Sequence, residues 1–240
     1  MLSEVRAILF DVFGTLVDWR TSVTRQLQAF GTARRLAADW ERVADDWRGE
    51  YQPAMDDVRS GRRAWTILDV LHRESVERVF ARHDISGVSD ADLTELTLAW
   101  HRLDPWPDVV PGLTRLATRF TVGTLSNGNT RLLTDLIRHG DLPIGKVLGA
   151  ETAQCYKPLP EAYLRNVAML EMAPHQVMLV AAHNGDLEAA SAVGLRTGFI
   201  PRPTEYGPNQ HTDLAAAGLW DVVAPDLGAL AAALTQPGTP

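Results

Sequence analysis

Carboxylates, a lysine and a hydroxyl stand in this chain where apolar runs end. Asp11 closes the run Arg6–Asp11 and is followed by Val12-Phe13-Gly14-Thr15-Leu16, in which the glycine permits a tight turn and Thr15 offers a hydroxyl. A carboxylate at a strand tip, facing the N–H groups of a loop, has the chemistry of a nucleophile. Ser126-Asn127-Gly128 follows a second apolar run, Lys157 follows a weaker one, and Asp186 follows another through His183-Asn184-Gly185. Taken singly, each has a plainer reading. Asp11 and Asp186 are then caps, Ser126-Asn127-Gly128 a turn, and Lys157 a solvated surface lysine. Together they supply a nucleophile, a hydroxyl, a cation and a second acid, and that joint pattern points to an active site.

Such convergence needs one sheet. The runs Arg6–Asp11, Phe120–Leu125, Val177–Ala182 and Leu195–Ile200 read as buried strands, because helices over both faces leave no solvent side to alternate toward. Lys146–Ala150 is a weaker strand, and Val222–Val223 suits an edge. Helical spacing lies between them. Leu132, Leu133, Leu136 and Ile137 precede a stop at Gly140; Tyr163, Leu164, Val167 and Ala168 follow Pro160; Leu187, Ala190 and Val193 precede Gly194. The alternation predicts a Rossmann-like open parallel α/β sheet, with reactive groups at the carboxyl ends of strands.

The first strand is separated from Phe120–Leu125 by far more chain than a crossover helix requires. Helical stripes fill the interval: Leu36, Trp40, Val43 and Trp47; Trp65, Leu68 and Leu71; Val76, Val79 and Phe80; Leu93, Leu96 and Trp100. The expected organisation is a catalytic core of residues 1–18 and 101–240, with residues 19–100 inserted as a helical cap. The proline-rich stretch Leu103–Gly112 reads as a stiff return linker.

Composition narrows the function classes. The 240 residues are 45% apolar and 22% charged, which excludes a disordered chain. A formal charge of −7 leaves no basic surface for nucleic acid. A single cysteine, Cys155, excludes an internal disulfide and points to the cytoplasm. No apolar run reaches the ~18 residues of a membrane span, and the N-terminus lacks signal-peptide character.

The motifs FDVFGTL, LSNG, YKP and VAAHNGD, in that order, resemble those of the haloacid dehalogenase superfamily of aspartyl-nucleophile hydrolases, over nearly the whole chain. Within that resemblance, departures favour one chemistry. Phosphatases of the superfamily carry an acid two residues after the nucleophile, to protonate the leaving alcohol, and Phe13 stands there. They hold Mg²⁺ with an acid pair, and the earlier member falls on Ala182. A halide leaves without protonation. An aromatic residue at position 13 is similar to the type II branch, the L-2-haloacid dehalogenases, as are Trp47-Arg48 in the cap and Tyr163, six residues after Lys157.

The resemblance implies a small 2-haloacid substrate and no metal or other cofactor. Ser126 and N–H groups near Phe13, Asn127 and Gly128 would hold its carboxylate. Asp11, oriented by Thr15, would displace the halogen toward Arg48. Water activated by Asp186 would then hydrolyse the ester, with Lys157 pairing both aspartates. His183 is open to two readings, a second base for water or a space-filling donor of one hydrogen bond. Trp65 and Gly185 would reshape the pocket, and a homodimer is compatible with the tryptophan-rich insert. The competing expectations are a phosphomonoesterase and a catalytically silent binding protein.

Overall fold

Alternate residues of strand β1 (Ala7–Phe10) face opposite ways, yet all four are buried, as a central strand covered on both sides requires. The computed structural model describes residues 2–236. After β1 come a short strand β2 (Val17–Asp18) and five helices: α1 (Trp19–Arg34), α2 (Trp40–Gly49), α3 (Tyr51–Arg59), α4 (Leu68–Arg82) and α5 (Asp90–Thr97). Strand β3 (Asp104–Pro105) returns antiparallel to β2, so the helical segment leaves and re-enters through a two-stranded stalk.

The remaining chain alternates: α6 (Val109–Ala117), β4 (Thr121–Thr124), α7 (Thr130–His139), α8 (Ala150–Ala153), α9 (Pro160–Ala168), β5 (Val177–Ala181), α10 (Asn184–Ala192), β6 (Arg196–Phe199), β7 (Val222–Val223) and α11 (Leu227–Thr235). The sheet runs β4-β1-β5-β6-β7, all parallel. Ile8, Phe10, Val122, Met178 and Val180 point to one face, against α6, α7, α11 and the inserted helices. Ala7, Leu9, Val177, Leu179 and Ala181 point to the other, against α9 and α10. Phe10 lies beside Thr124 on one side and Val180 on the other, so the residues that follow these three strands emerge at one rim.

The predicted architecture is the observed one, with local differences. Residues 146–150 make only isolated bridges, Gly123 to Lys146 and Ser126 to Gly149, because Thr124 takes over the pairing. Its hydroxyl donates to the Leu148 carbonyl and accepts the Leu148 N–H. Leu36 precedes α2, which starts at Trp40 because the Asp39 carboxylate caps the Arg42 N–H. Trp65 likewise precedes α4, and Leu68, Leu71, Val76, Val79 and Phe80 share that one helix. The return stretch is not a plain linker. Its proline at 105 pairs in the stalk, and Pro111 sits in the first turn of α6, where a missing N–H costs nothing.

Aromatic rings join the inserted helices to the sheet. Phe13 meets Tyr51 and Trp100 edge-on, with centroids at 6.2 and 6.1 Å, and Trp100 stacks on Trp19 and on His72. Desolvation pushes the His72 pKa down to about 3, so it packs as a neutral ring. A second joint is polar. His101, buried before the stalk, contacts Asp69 of α4 at 3.0 Å and Asp135 of α7 at 2.8 Å, and Asn129 donates to the other Asp69 oxygen.

Burial opposes the charge on His101, but hydrogen bonds to the two aspartates outweigh it and raise its pKa. A raised native-state pKa adds stability that is full below the unfolded value of ~6.5 and is lost as pH rises through the native one. The stability gap between wild type and His101→Phe, measured by urea unfolding, should therefore shrink as pH is raised across that window.

Candidate active site

The rim formed by β1, β4 and β5 gathers the charged groups singled out from the sequence. Asp11 follows β1 and is 6% exposed. Its Oδ1 accepts from Lys157 Nζ at 2.9 Å, and its Oδ2 accepts from the Thr15 hydroxyl at 2.8 Å. Thr15 is itself fixed, since its hydroxyl accepts the Ala182 N–H and its carbonyl accepts from Arg202 Nε. Burial pushes the Asp11 carboxyl up, but the charges of Lys157 and His183 more than reverse this and hold it well below the usual carboxylate range. Asp11 is thus an ionised, oriented carboxylate at the cleft floor.

Lys157 reaches this point from the loop before α9, and its N–H donates to Asn127 Oδ1. The ammonium also donates to Asp186 Oδ2, while the Tyr163 hydroxyl donates to Asp186 Oδ1 at 2.6 Å. Burial lowers the lysine pKa and the two carboxylates raise it further, so the net direction is upward. Asp186 lies in the first turn of α10, where the helix dipole also favours a negative charge.

His183 precedes α10 and lies between two carboxylates. Its Nδ1 is 3.2 Å from Asp11 Oδ2, and its Nε2 is 2.9 Å from Glu205 Oε2. Burial disfavours the imidazolium, but Glu205 and Asp11 override it and raise the pKa well above the ordinary histidine value. Glu205 is 1% exposed and also accepts from Trp19 Nε1 at 3.0 Å. Its carboxylate packs on Gly14, which has a φ of +84°; a Cβ there would lie 2.2 Å from Glu205 Cδ.

These groups open onto a cleft of about 920 Å³ whose floor includes Asp11, Phe13, Asn127, Lys157, Tyr163 and Asp186, with Arg48 and Tyr51 facing them from the helical insert. The Arg48 guanidinium lies 4.1 Å above the Tyr51 ring and 5.3 Å from that of Trp19, and its Nη1 is buried without a protein partner. Ser126, Gly128 and Trp65 lie outside the cleft lining. The Ser126 hydroxyl accepts the Gly128 N–H within its own turn, and Trp65 packs on Tyr156 at 4.9 Å. Gly185 lines the cleft.

Sequence reasoning missed Glu205, Tyr51 and Tyr206. The signal for Glu205 and Tyr206 was present: Pro201-Arg202-Pro203-Thr204-Glu205-Tyr206 follows the run Leu195–Ile200, the same strand-end position that marked the others. Tyr51 carries no such mark, because only the packing of α3 brings it over Asp11.

An ionised carboxylate paired with a lysine at the carboxyl rim of a parallel sheet, beneath inserted helices, is the arrangement of a hydrolase site built on aspartate. Residues 5–194 match the haloacid dehalogenase-like hydrolase family, and the chain belongs to it. It is 30% identical to (S)-2-haloacid dehalogenase 1 of Pseudomonas sp. strain CBS-3, over 88% of this chain and 92% of that protein. The crystal structure of the defluorinating L-2-haloacid dehalogenase Rha0230 is similar with a TM-score of 0.95 and 48% identity, covering 96% of this chain and 95% of that one. That of the L-2-haloacid dehalogenase PA0810 gives 0.91 and 47%, covering 96% and 98%.

Removing Lys157 would leave two buried carboxylates facing each other. Lys157→Met should cost about 3–5 kcal/mol at neutral pH, as for other broken buried pairs. Because protonating a carboxylate relieves the repulsion, the deficit in urea unfolding should narrow as pH falls.

Proposed function

We propose that this chain hydrolyses the carbon–halogen bond of short 2-haloacids through a covalent ester on Asp11. The observation that carries the reading is the state of Asp11 together with what surrounds it. The carboxylate is ionised and aimed into the cleft, yet Phe13, two residues on, and Ala182, four before Asp186, supply no acid. A departing alcohol would find no proton from either position, whereas a halide needs none. The relatives named above carry dehalogenase names, which supports the same reading.

A carboxylate oxygen of Asp11 attacks the carbon bearing the halogen. A C–O bond forms, the C–X bond breaks with both electrons going to X⁻, and the carbon inverts once. Arg48, with an unpartnered buried N–H, is the group placed to receive the halide. The substrate carboxylate is held near Asn127 and the N–H groups of the Phe13 loop, with the local cations Lys157 and Arg48 drawing an anion into a negatively charged protein. Water then attacks the ester carbonyl, releasing the 2-hydroxy acid without touching its stereocentre again. Lys157 keeps Asp11 ionised for attack, and Asp186 and Tyr163 hold Lys157 in place.

In this reading residues 1–18 and 101–240 are the catalytic core and residues 19–100 the cap, which brings Arg48 and Tyr51 over the nucleophile. The small haloacid is the partner at the site, and the cytoplasm its setting. Among the described residues, no helix is long and apolar enough to cross a membrane.

Halide release from L-2-chloropropionate, chloroacetate and fluoroacetate, in the presence of EDTA, tests the proposal. We expect release by the wild type and its loss in Asp11→Asn. Single turnover in H₂¹⁸O should put label into the protein, because water attacks the Asp11 carbonyl. Absence of halide across a broad 2-haloacid panel, or phosphate release from phosphomonoesters that requires Mg²⁺, would overturn the assignment.

A further inference from the structure

Hydrolysis of the ester needs a group to take a proton from water, and the geometry of Asp186 argues against it. Its Oδ2 accepts from Lys157 and its Oδ1 from Tyr163, which turns both oxygens toward those donors and ties Asp186 to holding the lysine. His183 is differently placed. Its Nδ1 faces the Asp11 carboxylate from which the ester is built, and its Nε2 is tied to Glu205. Resting on the proposed dehalogenation, we propose that Glu205 is a positioning residue that keeps the Nε2 proton of His183, so that Nδ1 becomes the base for ester hydrolysis once Asp11 has been alkylated.

The charges facing His183 give the reason. Asp11 approaches it from the β1 tip and Glu205 from the loop after β6; Lys157 acts on it by way of Asp11, and Asp186 of α10 pairs with Lys157. In the free enzyme two carboxylates hold the imidazolium, and an imidazolium is no base. Alkylation turns Asp11 into a neutral ester and removes one of those two charges. The Nδ1 proton then has no anionic partner, while the Nε2 proton keeps Glu205. Loss of the Nδ1 proton to solvent leaves a neutral imidazole with its lone pair facing the ester.

The proton balance closes. Alkylation releases X⁻, and the imidazolium releases H⁺ to solvent. Neutral His183 takes a proton from the attacking water as its oxygen bonds to Asp11 Cγ. The tetrahedral species expels the 2-hydroxy acid alkoxide, which takes the proton of the new Asp11 carboxyl. Asp11 returns ionised and His183 charged, and the sum is one H⁺ and one X⁻ per turnover.

The fixation of Glu205 supports a positioning role. It is 1% exposed, anchored by Trp19 Nε1, and seated on the bare backbone of Gly14. Glu205→Gln keeps an acceptor for Trp19 and loses the charge. Its amide N–H would donate to Nε2 and drive the remaining imidazole proton onto Nδ1, the wrong nitrogen for a base.

We expect Glu205→Gln to give a halide burst equal to the enzyme present, then to stall. Intact mass spectrometry should find an adduct of the acid minus halide on Asp11, with ester hydrolysis slowed about 100-fold, the scale of a lost general base. The rise of ester hydrolysis with pH that the proposal predicts for wild type should also disappear. A variant that hydrolyses the ester at the wild-type rate, or that loses the burst itself while folded, overturns the proposal. Wild type alone offers a second measurement, in weakly buffered solution with an indicator dye. Proton release should accompany ester formation and precede the hydroxy acid; release coincident with the hydroxy acid would overturn it. If wild type yields no halide, the dehalogenase reading fails instead, so the two failures are separable.

Discussion

A lysine ammonium cannot be buried alone. Lys157 is 7% exposed, and its removal from water is compensated only because Asp11 and Asp186 arrive at it from two different strand tips. Those tips meet because β1 and β5 are adjacent and in register, so the ion cluster and the sheet order are one requirement. Tyr163 and Thr15 then donate to the other carboxylate oxygens, so every oxygen of both acids has a donor that fixes it. The same charge that stabilises the fold keeps the nucleophile ionised, and structure and chemistry share a cause.

The helical insert contributes through a different force. Phe13, Trp19, Tyr51, His72 and Trp100 form a continuous aromatic seam, and a neutral histidine is accepted there only because desolvation holds it uncharged. This seam places Arg48 over the cleft, where the rings of Tyr51 and Trp19 attract its guanidinium. Phe13 therefore has two consequences. It withholds an acid from the leaving group, and it packs the roof onto the floor.

Much of this was legible in the sequence, because buried parallel strands are apolar throughout and end abruptly in polar residues. Asp11, Thr15, Lys157, His183 and Asp186 stood out for that reason and meet in the structure. Less legible were features decided by tertiary pairing. Residues 146–150 look like a strand, but the Thr124 hydroxyl takes both backbone groups of Leu148 and only bridges form. Ser126 presents the right type at the right place, and its hydroxyl also accepts a hydrogen bond within its own turn. Glu205 also follows a strand end, but nothing in the sequence pairs it with His183, since it comes from a loop whose path no periodicity describes.

Gly14 and Glu205 are far apart in the chain and share one volume. The absence of a side chain at position 14 is what gives the carboxylate its seat, and the carboxylate in turn fills what would be a hole beneath the nucleophile loop. Glycine is required at position 14 twice over, since a side chain there would meet the Glu205 carboxylate and would also be strained at a φ of +84°. Among descendants of this fold, a shorter residue at 205 would open space beside that turn without freeing it to vary, and such a lineage would need another partner for His183 elsewhere around the rim.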